Sequence, residues 1–297
     1  MGLSSPRFSS NARLQRASAN HPSMNWGEVG EAVRLVQQAL VDLDFNLPIS
    51  TQQFGSPDGI FGDETKSAVK TFQARNGLVN DGVVGAGTLG KLDTLLPTAG
   101  DRLAPLPASA FVKFKFRVVF RSIAIPVVPE SVALSSARLV YAQYGIKIDE
   151  GAGMSLLLDP GETVTLDSID GACLWDEENP DQTQLFTLGS GRAGVGNSDI
   201  LVYYVNTIKQ TDGSGLDGCA GHKPGAPACV VAASATKYAM AHEVGHNLLG
   251  SHFSPVHTES TNNLMFKGFL GNLTADPPGL TEDQMRAILS SPLVSTA

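Results

Sequence analysis

The sequence predicts an α+β protein in which a small three-helix domain precedes a larger domain with a mixed β-sheet. Two observations lead to this prediction. Apolar residues recur at helical spacing between residues 26 and 96, where glycine-rich turns separate the segments. After residue 110, β-forming runs precede a histidine-rich helix and a capped C-terminal helix. The chain therefore divides into a helical domain and an α+β domain.

The composition of the 297 residues is that of a globular protein. Hydrophobic residues make up 42% of the chain and charged residues 17%, which is enough apolar surface to build two cores. The net charge of −8 offers no basic surface for nucleic acid or for an anionic membrane. The apolar runs are too short or too interrupted to cross a bilayer. We therefore expect no nucleic-acid partner and no membrane span.

Residues 1–25 are rich in Ser, Asn and Ala and carry Arg7, Arg13 and Arg16. They contain no apolar segment of the length that a signal peptide requires. We predict a flexible tail. Export through a signal that has been removed, export by another route and retention inside the cell all stay open.

Residues 26–96 form a compact helical unit with two nearly identical turns. Asp58–Gly62 and Asp81–Gly85 share the pattern D-G-x-[FV]-G. The unit resembles the three-helix peptidoglycan-binding domain of many bacterial wall enzymes, which implies peptidoglycan as a partner and a secreted or cell-envelope location. In some metalloproteases a similar domain is an inhibitory propeptide, so that role also stays open. The three predicted helices are Glu31–Leu43, Glu64–Asn76 and Ala86–Leu95.

Residues 97–110 are predicted to be a linker, stiffened by its prolines. Inhibitory propeptides of that kind carry a cysteine in the segment after the domain, where it occupies the zinc of their own protease, and no cysteine is present here. Asp101 could act as such a plug, but a solvated aspartate is the simpler interpretation.

Residues 111–297 alternate between strand and helix patterns, and we expect a mixed sheet packed on two main helices. The predicted strands lie at Phe111–Ile125, Ile146–Ile148, Met154–Leu158, Glu162–Leu166, Asp199–Ile208 and Val230–Ala233, and the predicted helices at Ser131–Tyr144, Lys237–Leu249 and Thr281–Leu289.

The candidate catalytic residues lie within residues 241–252. His242 and His246 are four residues apart, so both imidazoles project from one helix face and can share a metal ion. Glu243 lies beside them, where a carboxylate can take a proton from metal-activated water. His252 can reach the same ion if the helix ends first, and Gly250 permits that end. Three imidazoles would leave one position of a zinc ion open, which is the catalytic arrangement.

This stretch resembles the metzincin metalloproteases, whose pattern is H-E-x-x-H-x-x-G-x-x-H followed by a Met-turn. The resemblance implies one catalytic Zn²⁺ and places Met265, in the turn 263–266, beneath the metal as a hydrophobic support. One position departs from the family, because Leu249 stands where the family has glycine. His257 and Glu259 are the alternative third ligands if Leu249 prevents the family turn.

Two further features suggest sites. Cys219 and Cys229 bracket a loop rich in Gly and Pro and could close it as a disulfide, which would leave Cys173 as a buried thiol. An acidic region could bind Ca²⁺, although a solvated loop is the better default. Its residues are Asp167, Asp170, Asp176, Glu177 and Glu178.

Together these patterns predict a zinc-dependent endopeptidase that cleaves proteins and is targeted to the bacterial cell wall by residues 26–96. Two alternatives stay open. One is a hydrolase of the peptide stems or cross-links of peptidoglycan, and the other is a non-catalytic wall-binding module with a degenerate zinc site.

Overall fold

The computed structural model describes residues 2–52, 55–96, 106–173, 176–210 and 212–297, without the side chains of residues 163 and 164. Two separate clusters of buried apolar side chains divide these residues, one within 3–92 and the other within 116–288. The first cluster lies among helices alone and the second between a sheet and helices, so the predicted α+β class is confirmed. The helices are α1 (Ala12–Ser18), α2 (Glu31–Asp42), α3 (Pro48–Gln52), α4 (Asp63–Arg75), α5 (Ala86–Leu95), α6 (Glu130–Ala142), α7 (Pro160–Leu166), α8 (Pro180–Thr187), α9 (Ala239–Leu249) and α10 (Glu282–Leu289).

The N-terminal residues are part of the helical domain, so the prediction of a flexible tail over residues 1–25 is wrong. Leu3, Phe8 and Leu14 are buried in the first core, and α1 packs against α5. Asp93 of α5 accepts hydrogen bonds from the backbone N–H groups of residues 4 and 5. The apolar residues that anchor this segment are few and widely spaced, and the surrounding polar composition concealed them.

The helical domain contains a structural repeat that extends the paired turns. The buried side chain of Gln37 donates to Asp58 Oδ1 and Thr65 Oγ1 and accepts from the backbone N–H of Gly59. A second buried glutamine makes the same set of bonds around the second turn. Each glutamine thus ties one turn to the helix before it and the helix after it. The second copy consists of Gln73, Asp81, Gly82 and Thr88.

The larger domain is built on a mainly parallel sheet with the strand order β2-β1-β5-β8-β7. Strand β7 is the edge strand and runs antiparallel to β8. Helices α6 and α9 pack against each other, and the hydroxyl of Tyr141 on α6 donates to the carbonyl of Ala241 on α9. The order of the sheet therefore brings its antiparallel edge close to α9. The strands are β1 (Phe114–Ser122), β2 (Ile146–Glu150), β3 (Met154–Ser155), β4 (Ser168–Asp170), β5 (Ile200–Val205), β6 (Thr207–Lys209), β7 (Gly218–Cys219), β8 (Ala228–Ala232) and β9 (Ser295–Thr296).

One predicted strand is a helix in the structure, and the predicted linker lies mostly outside the described residues. The segment predicted as a strand at Glu162–Leu166 is part of helix α7. The linker prediction falls mostly on residues 97–105, including Asp101, which lie outside the described residues, and a 3₁₀ turn at Ala108–Phe111 follows. Within the part of the chain that is described, no helix is both long and apolar enough to cross a bilayer.

The two domains contact each other through helices α4 and α10. Lys66 on α4 forms an ion pair with Glu282 on α10. Arg286 on α10 bonds to Asp63 at 2.7 Å, and its guanidinium lies 3.8 Å from the ring centroid of Trp26. These contacts hold the helical domain against the C-terminal part of the larger domain.

Candidate metal centre

Helix α9 presents two of the predicted ligands from one face. His242 and His246 are both buried, and their Nε2 atoms lie 3.0 Å apart. The helix ends at Leu249 and is followed by Gly250, whose φ of 72° is readily adopted only by glycine. The predicted helix end at Gly250 is thus confirmed.

The third histidine at this point is His257, and the prediction of His252 is not supported by the geometry. His257 Nε2 lies 3.3 Å from His242 Nε2 and 3.1 Å from His246 Nε2. In the described part of the chain, these three form the one group of His, Cys, Asp or Glu side chains close enough to share an ion. His252 is exposed two residues after Gly250 and belongs to no such group.

A backbone pairing explains why the later histidine is the one that returns to the helix. The N–H of Thr258 donates to the carbonyl of Met265 at 2.8 Å, and the N–H of Lys267 donates to the carbonyl of Thr258. Residue 257 is therefore held beside the segment 263–267. In the sequence, Leu249 indicated that the third ligand could differ from the family pattern. Because the glycine is displaced to position 250, the chain leaves the helix in a different direction, and an alternative third ligand has to be considered.

The segment 263–267 also contacts helix α9. The carbonyl of Leu264 lies 2.8 Å from Nδ1 of His242, which fixes the ring and turns Nε2 towards the other two histidines. Met265 is fully buried, and a side chain at Gly245 of the helix would lie 2.7 Å from its sulfur. The methionine thus packs directly on the helix between the two histidines.

Glu243, also on α9, places its side chain against strand β7 at the edge of the sheet. Its side chain is buried, and burial raises the pKa of its carboxyl to about 8, with Asp217 nearby adding to the rise. A Cβ atom at Gly218 of β7 would lie 2.4 Å from Glu243 Cγ. Gly218 therefore leaves the space that this carboxylate occupies against the edge of the sheet.

The three histidines fit a zinc ion. Burial lowers the pKa of His242 to about 4 and that of His257 below its usual value, so both rings are neutral at pH 7. The three Nε2 atoms form a nearly equilateral triangle with sides of 3.0–3.3 Å. Nitrogens that bind tetrahedral zinc at about 2.0–2.1 Å lie about 3.3 Å apart. This donor set suits Zn²⁺ and leaves one position open to water.

A cleft of about 490 Å³ opens onto the three histidines and Glu243. One wall is the edge of the sheet, from Gly215 to Gly221, and the facing wall is the segment from Phe266 to Leu270. The histidines therefore lie at the bottom of a space that can admit part of an extended chain.

The cysteine pairing differs from the prediction. Cys219 forms a disulfide with Cys173, and Cys229 is a free, buried thiol. Cys219 lies opposite Val230 in the β7–β8 ladder, so Cys229, the next residue along β8, projects to the other face of the sheet. The predicted bond between Cys219 and Cys229 is therefore wrong. The disulfide that forms lines the cleft instead.

The described acidic residues do not form a calcium cage. Glu178 forms an ion pair with Lys223, and Asp167 accepts a hydrogen bond from the amide of Asn206. Asp170 accepts from the backbone N–H of residue 172. The calcium prediction therefore finds no support, because these carboxylates do not converge.

Comparison with known sequences identifies part of the helical domain. Residues 29–92 match the family described as "Putative peptidoglycan binding domain". This region is a peptidoglycan-binding-type domain. An N-acetylmuramoyl-L-alanine amidase of Bacillus licheniformis is 43% identical over 67 residues, which is 23% of this chain and 18% of the amidase. The chain thus spans less than a fifth of the length of that curated relative.

Comparison with solved structures finds similar chains for each domain. A peptidoglycan-binding protein from Clostridioides difficile has 32% identity and a TM-score of 0.22, and the match covers 26% of this chain and 43% of that one. The archaemetzincin of Methanopyrus kandleri has 12% identity and a TM-score of 0.35, over 63% of this chain and 97% of that one. The archaemetzincin of Archaeoglobus fulgidus has 10% identity and a TM-score of 0.31, over 58% and 99%.

Proposed function

We propose that the protein is a zinc-dependent endopeptidase that the peptidoglycan-binding-type domain brings to the bacterial cell wall. The observation that carries this proposal is the convergence of three Nε2 atoms beside a buried carboxylate at the bottom of an open cleft. A purely structural zinc site is closed by a fourth protein ligand and has no use for Glu243. The open position and the carboxylate together favour hydrolysis.

In this proposal His242, His246 and His257 hold the ion, and Glu243 is the general base and then the general acid. A bound zinc ion would supply a Lewis acid that activates water and polarises the scissile carbonyl. Glu243 would receive a proton from the attacking water and return it to the leaving amine. Its raised pKa suits this exchange, because a group that titrates near neutral pH can both accept and release a proton.

The helical domain supports wall binding better than autoinhibition. The described residues that line the cleft all lie between positions 173 and 270, so no described part of the helical domain enters it. Attachment to peptidoglycan would raise the local concentration of the enzyme at the wall. We accordingly propose a secreted or cell-envelope location.

Peptidoglycan peptides are the second candidate substrate, since residues 29–92 match a wall-binding family. An amide bond in a stem or a cross-link would undergo the same hydrolysis as a protein backbone. Casein and purified peptidoglycan, offered separately to zinc-loaded protein, distinguish the two substrates.

The Glu243→Ala variant tests the activity itself. We expect its zinc content to equal that of the wild type and its rate of cleavage to fall by about 100- to 10,000-fold, since that is the usual contribution of a general base. Glu150→Ala, at an exposed position on β2, is the control and should cleave normally. If the wild type cleaves neither casein nor peptidoglycan, the result would instead indicate a non-catalytic module.

A further inference from the structure

The cleft contains a carboxylate for which the proposed mechanism has no use. Asp217 immediately precedes β7 and lines the cleft next to Gly218, the residue against which Glu243 packs. Its backbone carbonyl accepts a hydrogen bond from the N–H of Ala232 at 3.0 Å, so the main chain is fixed. The side chain is only partly exposed. Asp217 is thus held at a defined place in the wall of the cleft.

Nothing in the described part of the chain satisfies this carboxylate. No described donor forms a hydrogen bond with it, and no described cation lies within ion-pair distance, in contrast to Asp212 in the same loop, which bonds to Ser214. The one basic side chain that lines the cleft, Lys267, is paired with Glu259 at 2.5 Å. Burial also raises the pKa of the Asp217 carboxyl, because a desolvated charge without a partner is unfavourable. Among the described residues, the carboxylate of Asp217 is therefore available to bind a positively charged ligand.

Asp217 is not a fourth metal ligand in this arrangement. The three Nε2 atoms that can share an ion form a group that does not include it. Yet Asp217 directly precedes Gly218, where a Cβ atom would lie 2.4 Å from Glu243 Cγ, and both carboxylates line the same cleft. A group bound to Asp217 would consequently lie close to the carbonyl at which Glu243 would activate water, and not at a remote surface.

We propose that Asp217 determines specificity by binding an ammonium group of the substrate next to the scissile bond. A single carboxylate suits a compact ammonium charge, and the ion pair would form in a partly desolvated cleft, where it is stronger than on the surface. The opposite wall, with Phe266, Phe269 and Leu270, suits an apolar side chain. This proposal rests on the proposed peptidase function, and it defines the substrate class as peptides with a primary amine near the cleavage point.

An ammonium group can come from a lysine side chain, from a free amino terminus or from a diamino acid of a peptidoglycan stem. Three pairs of peptides distinguish these sources. The first pair has lysine or norleucine at each of the three positions on either side of the cleaved bond, with both ends blocked. The second has a free or an acetylated amino terminus. The third has a diamino acid with its side-chain amine free or acetylated.

The test compares wild type, Asp217→Asn and the control Asp212→Asn, all loaded with zinc. We expect the wild type to prefer the charged member of at least one pair, and Asp217→Asn to lose about 10- to 100-fold in kcat/KM on that member with little change on its neutral partner. Asp212→Asn should keep the preference, and Asp217→Glu should restore part of it. Zinc content should be unchanged throughout.

Binding of the same peptides, measured by calorimetry in a Glu243→Gln background, separates this proposal from the peptidase function. A charge preference in binding that depends on Asp217 supports the inference even if no peptide is cleaved, a result that would overturn the peptidase function alone. Equal dissociation constants within every pair, a preference that persists in Asp217→Asn, or loss of zinc from that variant would overturn the inference.

Discussion

The two domains use polar sequence motifs in opposite ways. In the helical domain, Gln37 and Gln73 each bond within a turn and its two adjacent helices, so every partner lies within 28 residues in the chain. In the larger domain, the motif on α9 supplies two histidines, and the third comes from a loop that is held by backbone hydrogen bonds of Thr258 with Met265 and Lys267. Local motifs carry their own geometry, whereas the metal centre needs a contact that only the fold provides.

The largest effect should come from the residue that the fold adds to the site. We expect His257→Ala to lower zinc affinity by about 100-fold or more, because it removes one of three converging nitrogens. His252→Ala is the matched control and should bind zinc like the wild type, since His252 is exposed and outside the group. Metal analysis after dialysis against a graded chelator measures both. If His252→Ala loses more zinc than His257→Ala, then His252 is the third ligand, as the family spacing implies, and the group of His242, His246 and His257 is refuted.

A smaller effect is expected from the repeat in the helical domain. Gln73→Leu removes a buried amide and leaves Asp81 and the N–H of Gly82 without their partner. The free energy of unfolding of this domain should fall by about 2 kcal/mol, as is typical when buried polar groups lose a partner. Gln38→Leu, on the same helix as Gln37 but with a partly exposed side chain, should change it by less than about 0.5 kcal/mol. Urea denaturation gives both free energies of unfolding. Equal losses in the two variants would show that the buried glutamine contributes no more to stability than the partly exposed one.

The smallest effect should appear where the two domains meet. Burial alone would raise the pKa of Glu282, but hydrogen bonds from Lys66 and Arg286 outweigh it and lower that pKa. Since the folded-state pKa is depressed, the contribution to stability is complete above the unfolded value, near 4.5, and is lost as the pH falls through the folded value.

Glu282→Gln should therefore lower stability by less than about 1 kcal/mol at pH 7 and by less at pH 3, because exposed ion pairs contribute little and the contribution falls as the carboxyl is protonated. Thermal unfolding at both pH values provides the measurement. A loss of equal size at pH 3 would indicate that Gln disturbs packing rather than charge.

Much of the fold could be predicted from the sequence, and the parts that could not be predicted have physical causes. The apolar stripe of α2 and the capping box of α10 depend on neighbours three or four residues away, and both helices lie where they were predicted. Segment 162–166 was interpreted as a strand because a short run of alternating residues does not distinguish the period of a strand from that of a helix. Local patterns were sufficient wherever local contacts decide the structure.

The candidate site shows the same division. His242, Glu243 and His246 are brought together because one helix carries all three. His257 and the partner of Cys219 depend on strand register and on a loop that returns to the helix, and no spacing rule contains that information. Asp217 gave no signal in the sequence, since an aspartate in a glycine-rich loop is common and only the cleft distinguishes it.

Gly245 within helix α9 and Gly218 on strand β7 restrict which mutations the chain can tolerate. Gly245 is one of the two positions that H-E-x-x-H leaves unspecified, yet any side chain there would collide with the sulfur of Met265. A side chain at Gly218, on strand β7, would likewise collide with Glu243. Neither residue takes part in the proposed chemistry, but a side chain at Gly218 would displace the proposed base Glu243, and one at Gly245 would displace the methionine that packs between the two histidines. Variation among natural sequences of this type should therefore be as restricted at these two silent positions as at the histidines.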